Sequence, residues 1–95
     1  MLHAFVLIRA EPSRIGSLAT ELAATDGITE AFSVAGGLAD LIAIVRVRHH
    51  EELAEVVTAR IAALPGIKST TTLVAFQAYS TRDLEAIWDL GPVRG

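Results

Sequence analysis

Gly36-Gly37-Leu38-Ala39-Asp40 divides this chain into two copies of one pattern: an apolar strand, an amphipathic helix, a Gly-Ile step and a second strand. Ile15, Leu18 and Ala19 of the first helix recur 38 positions later as Leu53, Val56 and Val57. Gly27-Ile28 recurs 39 positions later as Gly66-Ile67. A doubled strand-helix-strand unit predicts a small open sheet with its helices on one face. The opposite face is then left for something else to cover.

Working outward from the seam, Ile28–Ala35 reads as the strand before it and Leu41–Val47 as the strand after it. The first strand is Leu2–Arg9, ended by Glu11-Pro12. Pro12 suits a first helical turn, where its missing N–H and fixed φ cost nothing. Ile15, Leu18, Ala19, Leu22 and Ala23 then form one helical stripe, stopped by Asp26-Gly27. In the second copy Glu51 and Glu52 lie in the first turn, where carboxylates suit the positive end of the helix dipole. Leu53, Val56, Val57, Ile61 and Leu64 make that helix's stripe, and Pro65-Gly66 ends it. The fourth strand is read as Thr70–Tyr79. Ser80-Thr81-Arg82-Asp83 resembles a capping box that opens a tail helix bearing Leu84, Ile87 and Trp88. The domain is therefore 1–79, with a helical tail over 80–95.

Two right-handed crossovers joined by a tight turn give strand order 4-1-3-2. Strands 1 and 3 are the most apolar, as central strands should be, while Thr, Ser, Glu and Gln fall on the edges. Alternation splits each central strand between two faces. Leu2, Ala4, Val6 and Ile8 share one face with Leu41, Ala43, Val45 and Val47. Phe5, Leu7 and Arg9 share the other with Ile42, Ile44 and Arg46. Helices can cover only one of them, so the second is an apolar patch that predicts face-to-face dimerisation.

Composition narrows the rest. Ninety-five residues support one domain with little more than one core, and 52% hydrophobic content is high for that size. A formal charge of −3 with scattered basic residues argues against direct nucleic-acid binding. Without cysteine there are no disulfides and no thiolate metal site. The apolar runs Ala4–Ile8 and Leu41–Val45 are far shorter than the ~20 residues of a membrane helix. No signal peptide is evident, so membrane contact is not expected and a cytoplasmic location is.

Three features invite chemistry. The seam reads first as a hairpin turn, but amides beside glycines also form anion nests, and Asp40 adds a carboxylate. A zwitterionic amino acid presents both charges. Thr70 and Thr72 point to one face of an edge strand, where two hydroxyls could meet a ligand, although β-branched residues are simply good strand formers. His49-His50 have divergent directions and no further ligand at suitable spacing, so capping or exposure is expected rather than a metal site. No serine sits in a strained elbow beside a histidine motif, so no catalytic residue is expected. No cofactor is implied.

Taken together, Ser33-Val34-Ala35-Gly36, Asp40-Leu41-Ile42-Ala43, Leu64-Pro65-Gly66-Ile67, Thr70-x-Thr72 and Leu73-Val74-Ala75-Phe76 resemble the effector-binding domain of Lrp/AsnC transcriptional regulators, also called the regulation-of-amino-acid-metabolism domain. The resemblance covers residues 2–79. It implies a ferredoxin-like βαββαβ fold of the α+β class, with a four-stranded antiparallel sheet that pairs into a dimeric α/β barrel. It further implies a homodimer through sheet faces, dimers assembling into rings, often octamers, and an amino-acid effector held between dimers. The family's site maps onto Gly36, Gly37, Leu38, Asp40, Thr70 and Thr72. Two departures are visible. The first strand begins at residue 2, which implies a stand-alone effector domain that would act on transcription by joining full-length Lrp/AsnC regulators. The seam is also one residue longer than the family's Gly-x-aromatic-Asp pattern and lacks its aromatic. A small dimeric α/β-barrel enzyme of monooxygenase type and a purely structural assembly module are the competing readings.

Overall fold

The computed structural model describes residues 1–81. Its strands are β1 Leu2–Ala10, β2 Ile28–Ser33, β3 Leu41–Val47 and β4 Ile67–Val74. They form one sheet in the order β2-β3-β1-β4, the expected 4-1-3-2 read from the other edge, and every neighbouring pair is antiparallel. The fold is the ferredoxin-like α+β arrangement. A 3₁₀ turn at Pro12–Arg14 leads into α1 Ile15–Ala23, and α2 begins at His50–Glu55 with Glu51 and Glu52 in its first turn.

Alternation in the sequence becomes burial in the fold. Val6, Ile8, Leu41, Ala43 and Val45 are sealed against Leu18, Leu22, Val56 and Ile61 of the helical layer. Ile15, Ala19, Val57 and Leu64 pack at the margin of that core, whereas Ala23, in the last turn of α1, is exposed. The other sheet face stays open: Phe5, Phe32 and Leu73 remain 39%, 47% and 51% exposed. Leu73 joins that face because it stands opposite Phe5 on β1.

The doubled unit is also conformational. Gly27 and Gly66 adopt φ of 95° and 96°, each just before a strand. A side chain at either would collide at 2.7 Å with a neighbour, Val56 Cγ2 for Gly27 and Arg14 Cγ for Gly66. The two halves are tied there as well, since Glu11 N donates to Gly66 O at 2.8 Å and Arg14 Nε to Pro65 O at 3.2 Å.

Four elements differ from the sequence reading, β1 by running one residue further, to Ala10. β2 ends at Ser33 rather than Ala35; beyond the Ser33–Leu41 pair one further bond, from Val34 N to Asp40 O at 3.0 Å, precedes the loop. β4 runs Ile67–Val74 rather than 70–79. Its partner β1 starts at Leu2, so pairing stops once Val74 stands opposite Ala4 and Ala75 N reaches His3 O. The second helix does not keep α geometry: after Glu55 it widens into a π-helical turn, Val56–Ile61. Arg60 thereby pairs with Glu55, five residues earlier, at 3.4 Å. The tail helix with Leu84, Ile87 and Trp88 lies outside the described residues.

Candidate functional site

The seam is a loop rather than a tight turn. Ser33 and Leu41 are the last paired residues of β2 and β3, and the Val34–Asp40 bond closes the loop above them. Gly36 sits at φ 148°, a backbone state open to glycine, while Gly37 does not have positive φ. A Cβ at either would meet nothing within 4 Å, so neither is held by packing. Leu38 is 82% exposed.

On the open sheet face the loop walls a depression of about 380 Å³, lined by Leu7, Val34, Ala35, Gly36, Gly37, Leu38, Ala39 and Ile42. Leu7 and Ile42 form its floor because they face each other across β1 and β3. Arg9, two residues along the same face of β1, donates from its guanidinium to the Gly37 carbonyl and braces the lip. Sequence reasoning placed Leu7, Ile42 and Arg9 on this face without assigning them to the seam; only the loop's curl over the sheet joins them to it.

Asp40 is turned the other way. Its Oδ2 accepts from Ala10 N at 2.9 Å, and its own N–H donates to Ile8 O at 2.8 Å. Ala10 lies two residues beyond Ile8, the last β1 residue paired with β3, so the carboxylate takes an amide that the end of the β1–β3 ladder leaves over. Asp40 is half-buried there.

Thr70 and Thr72 do share a face, opposite Ile8 and Val6. That is the helix side of the sheet, whereas the depression opens on the other. Thr70 shares a cross-strand row with Leu41 through Ile8, two strand spacings or ~10 Å away. Within one subunit the structure gathers Gly36, Gly37 and Leu38 around the depression and leaves Asp40, Thr70 and Thr72 outside its lining. His49 and His50 are both exposed, and His49 stands at the N-terminal end of α2 without a side-chain capping bond. Among the described residues no three His, Cys, Asp or Glu side chains group to hold a metal, and no helix is long and apolar enough to cross a membrane.

Comparison with known proteins decides the family. The model of the Lrp/AsnC ligand-binding domain matches residues 3–84. The chain belongs to that family. A solved protein from Thermus thermophilus, TTHA0845, is 44% identical with TM-score 0.78, covering 84% of this chain and 99% of its own. The Pyrococcus horikoshii hypothetical protein PHS023 is 28% identical with TM-score 0.74, covering 83% and 94%. E. coli AsnC is 26% identical with TM-score 0.76, covering 85% of this chain but only 54% of AsnC. Among curated proteins nothing matches. As an Lrp/AsnC ligand-binding domain, the chain is a regulatory effector-binding module.

Proposed function

We propose that this module senses an amino acid at the seam and transmits it through the packing of subunits, without catalysing a reaction. The observation that carries the reading is the continuity of the seam depression with the uncovered sheet face. Leu7 and Ile42 belong to both, so a ligand seated under Leu38 also touches whatever covers Phe5, Phe32 and Leu73. A second copy of the same face is the natural cover, giving a dimer through the sheets, with rings of dimers built from it. In such an assembly Gly36 and Gly37 amides take the ligand carboxylate, and Asp40 takes the ammonium with the oxygen that Ala10 does not use. Thr70 and Thr72 lie on the far side of their own sheet, so their hydroxyls would come from an adjoining subunit. Coupling to full-length Lrp/AsnC regulators in the cytoplasm completes the proposal.

Thermal denaturation with each of the amino acids in turn tests it. A ligand at 100 times its dissociation constant should add ~2.7 kcal/mol. Asp40→Asn keeps an oxygen for the Ala10 amide while removing the charge, so it should lose the ligand shift and keep the fold. If no amino acid moves the melting curve, or Asp40→Asn responds like the parent, the site assignment is wrong.

A further inference from the structure

β1 outruns its neighbour at the seam end of the sheet. Ile8 is the last β1 residue paired with β3, and Asp40 N donates to Ile8 O, so Arg9 and Ala10 run beside the loop instead of a strand. Alternation sends the Arg9 side chain to the open face, with Leu7 two residues away on the depression's floor. The next amide, Ala10 N, is taken by Asp40 Oδ2 at 2.9 Å. From its place on β1, Arg9 donates from Nη1 to the carbonyl of Gly37, which lines the depression. The guanidinium is thus held within one hydrogen bond of the seam site.

The charge at this lip is uncompensated. Arg9 is exposed, and among the described residues it has no carboxylate partner, whereas Arg14 and Arg60 are paired with Glu21 and Glu55. Only its Nη1 is engaged among those residues, which leaves the Nε–Nη2 edge, a fork that matches both oxygens of a carboxylate. The depression beside it is apolar. Apart from Gly36 and Gly37, every lining residue brings an aliphatic side chain, from Leu7 and Ile42 on the floor to Leu38 on the loop. A polar or charged group seated among them gives up water and finds no side-chain partner in return, a penalty that an apolar group escapes. About 380 Å³ is room for one small molecule.

Resting on the seam reading above, we propose that Arg9 holds the ligand's carboxylate and that the ligand is an amino acid with a large apolar side chain, of the kind leucine and phenylalanine carry. The guanidinium grips the carboxylate from the lip, and the side chain lies on Leu7 and Ile42 under Leu38. A carboxylate has lone pairs enough for the fork and the Gly36 and Gly37 amides together. Because Nη1 keeps the Gly37 carbonyl, the same group ties the bound ligand to the loop. Amino acids whose side chains end in a carboxylate, ammonium or amide are rejected, since that end would have to enter the aliphatic part of the site.

The whole chain, at about pH 6.5 where an α-amine is protonated, is titrated with leucine, phenylalanine, the amides of both, glutamine, lysine and aspartate, and followed by calorimetry and thermal denaturation. Leucine or phenylalanine should bind saturably, and the three polar amino acids roughly tenfold or more weakly. The amide of the better ligand keeps its side chain and amine but has no carboxylate, so it should bind roughly a hundredfold more weakly. Arg9→Gln, a change at an exposed side chain, separates holding from bracing. If Arg9 holds the carboxylate, the variant's preference for the acid over its amide falls roughly tenfold or more. If Arg9 only braces the loop, acid and amide weaken together and the preference stands, which overturns the proposal. Tighter binding of glutamine, lysine or aspartate than of leucine and phenylalanine leaves the seam reading standing and overturns this inference. No response to any amino acid takes down both.

Discussion

The carboxylate of Asp40 holds the backbone amide of Ala10 at 2.9 Å, across 30 residues of sequence. This contact gives a residue read as a ligand group a structural task as well. Asp40→Ala leaves a half-buried N–H without its acceptor, which should cost ~1–3 kcal/mol. Asp40→Asn should cost much less. Urea denaturation of both variants measures the difference, and equal midpoints would show that the bond contributes nothing.

Gly27 is the tighter of two predictions about glycines. Gly27→Ala combines positive φ with a 2.7 Å approach to Val56 Cγ2, a buried β-branched side chain that has little room to yield. The left-handed backbone alone costs ~1–2 kcal/mol, and crowding adds to it. Gly37→Ala, with open space around it and no positive φ, should leave the melting temperature nearly unchanged.

Leu22 is wholly buried between α1 and the sheet. Leu22→Ala should cost ~2–5 kcal/mol, read as a shift in the denaturation midpoint with an unaltered slope.

The open face predicts its own behaviour. Phe5→Lys places a charge beside Leu73 on the uncovered side of the sheet, where it touches none of the buried core. Circular dichroism should report an intact fold, while sedimentation should fall from dimer to monomer. A parent chain that sediments as a monomer at micromolar concentration, or a variant that stays dimeric, removes the sheet-to-sheet contact from the proposed assembly.

Much of this was legible in the chain because it depends on short-range periodicity. A stripe of Ile15, Leu18, Ala19 and Leu22 can only be one face of a helix, and alternation in Leu2–Ile8 can only split a strand between two faces. Together with the repeated Gly-Ile step, these fixed the element order, the sheet order and the identity of the uncovered face. Boundaries were less legible. The end of β4 is set by where β1 begins, a matter of register that no residue of β4 encodes. The π-helical turn at Val56–Ile61 follows the fit of Val56 against Gly27 and of Arg60 onto Asp26, contacts made only after folding.

The candidate sites divide the same way. The sequence by itself determined that Gly36-Gly37 interrupt the sheet beside an apolar face, because glycine's freedom and the alternation of β3 are local properties. Tertiary structure alone decided what stands around that interruption. It turned Asp40 toward Ala10, set Thr70 and Thr72 on the other side of the sheet, and bent the loop over Leu7 and Ile42. Those relationships join residues tens of positions apart, and their geometry is set by strand register and helix packing, which exist only once the chain has closed on itself.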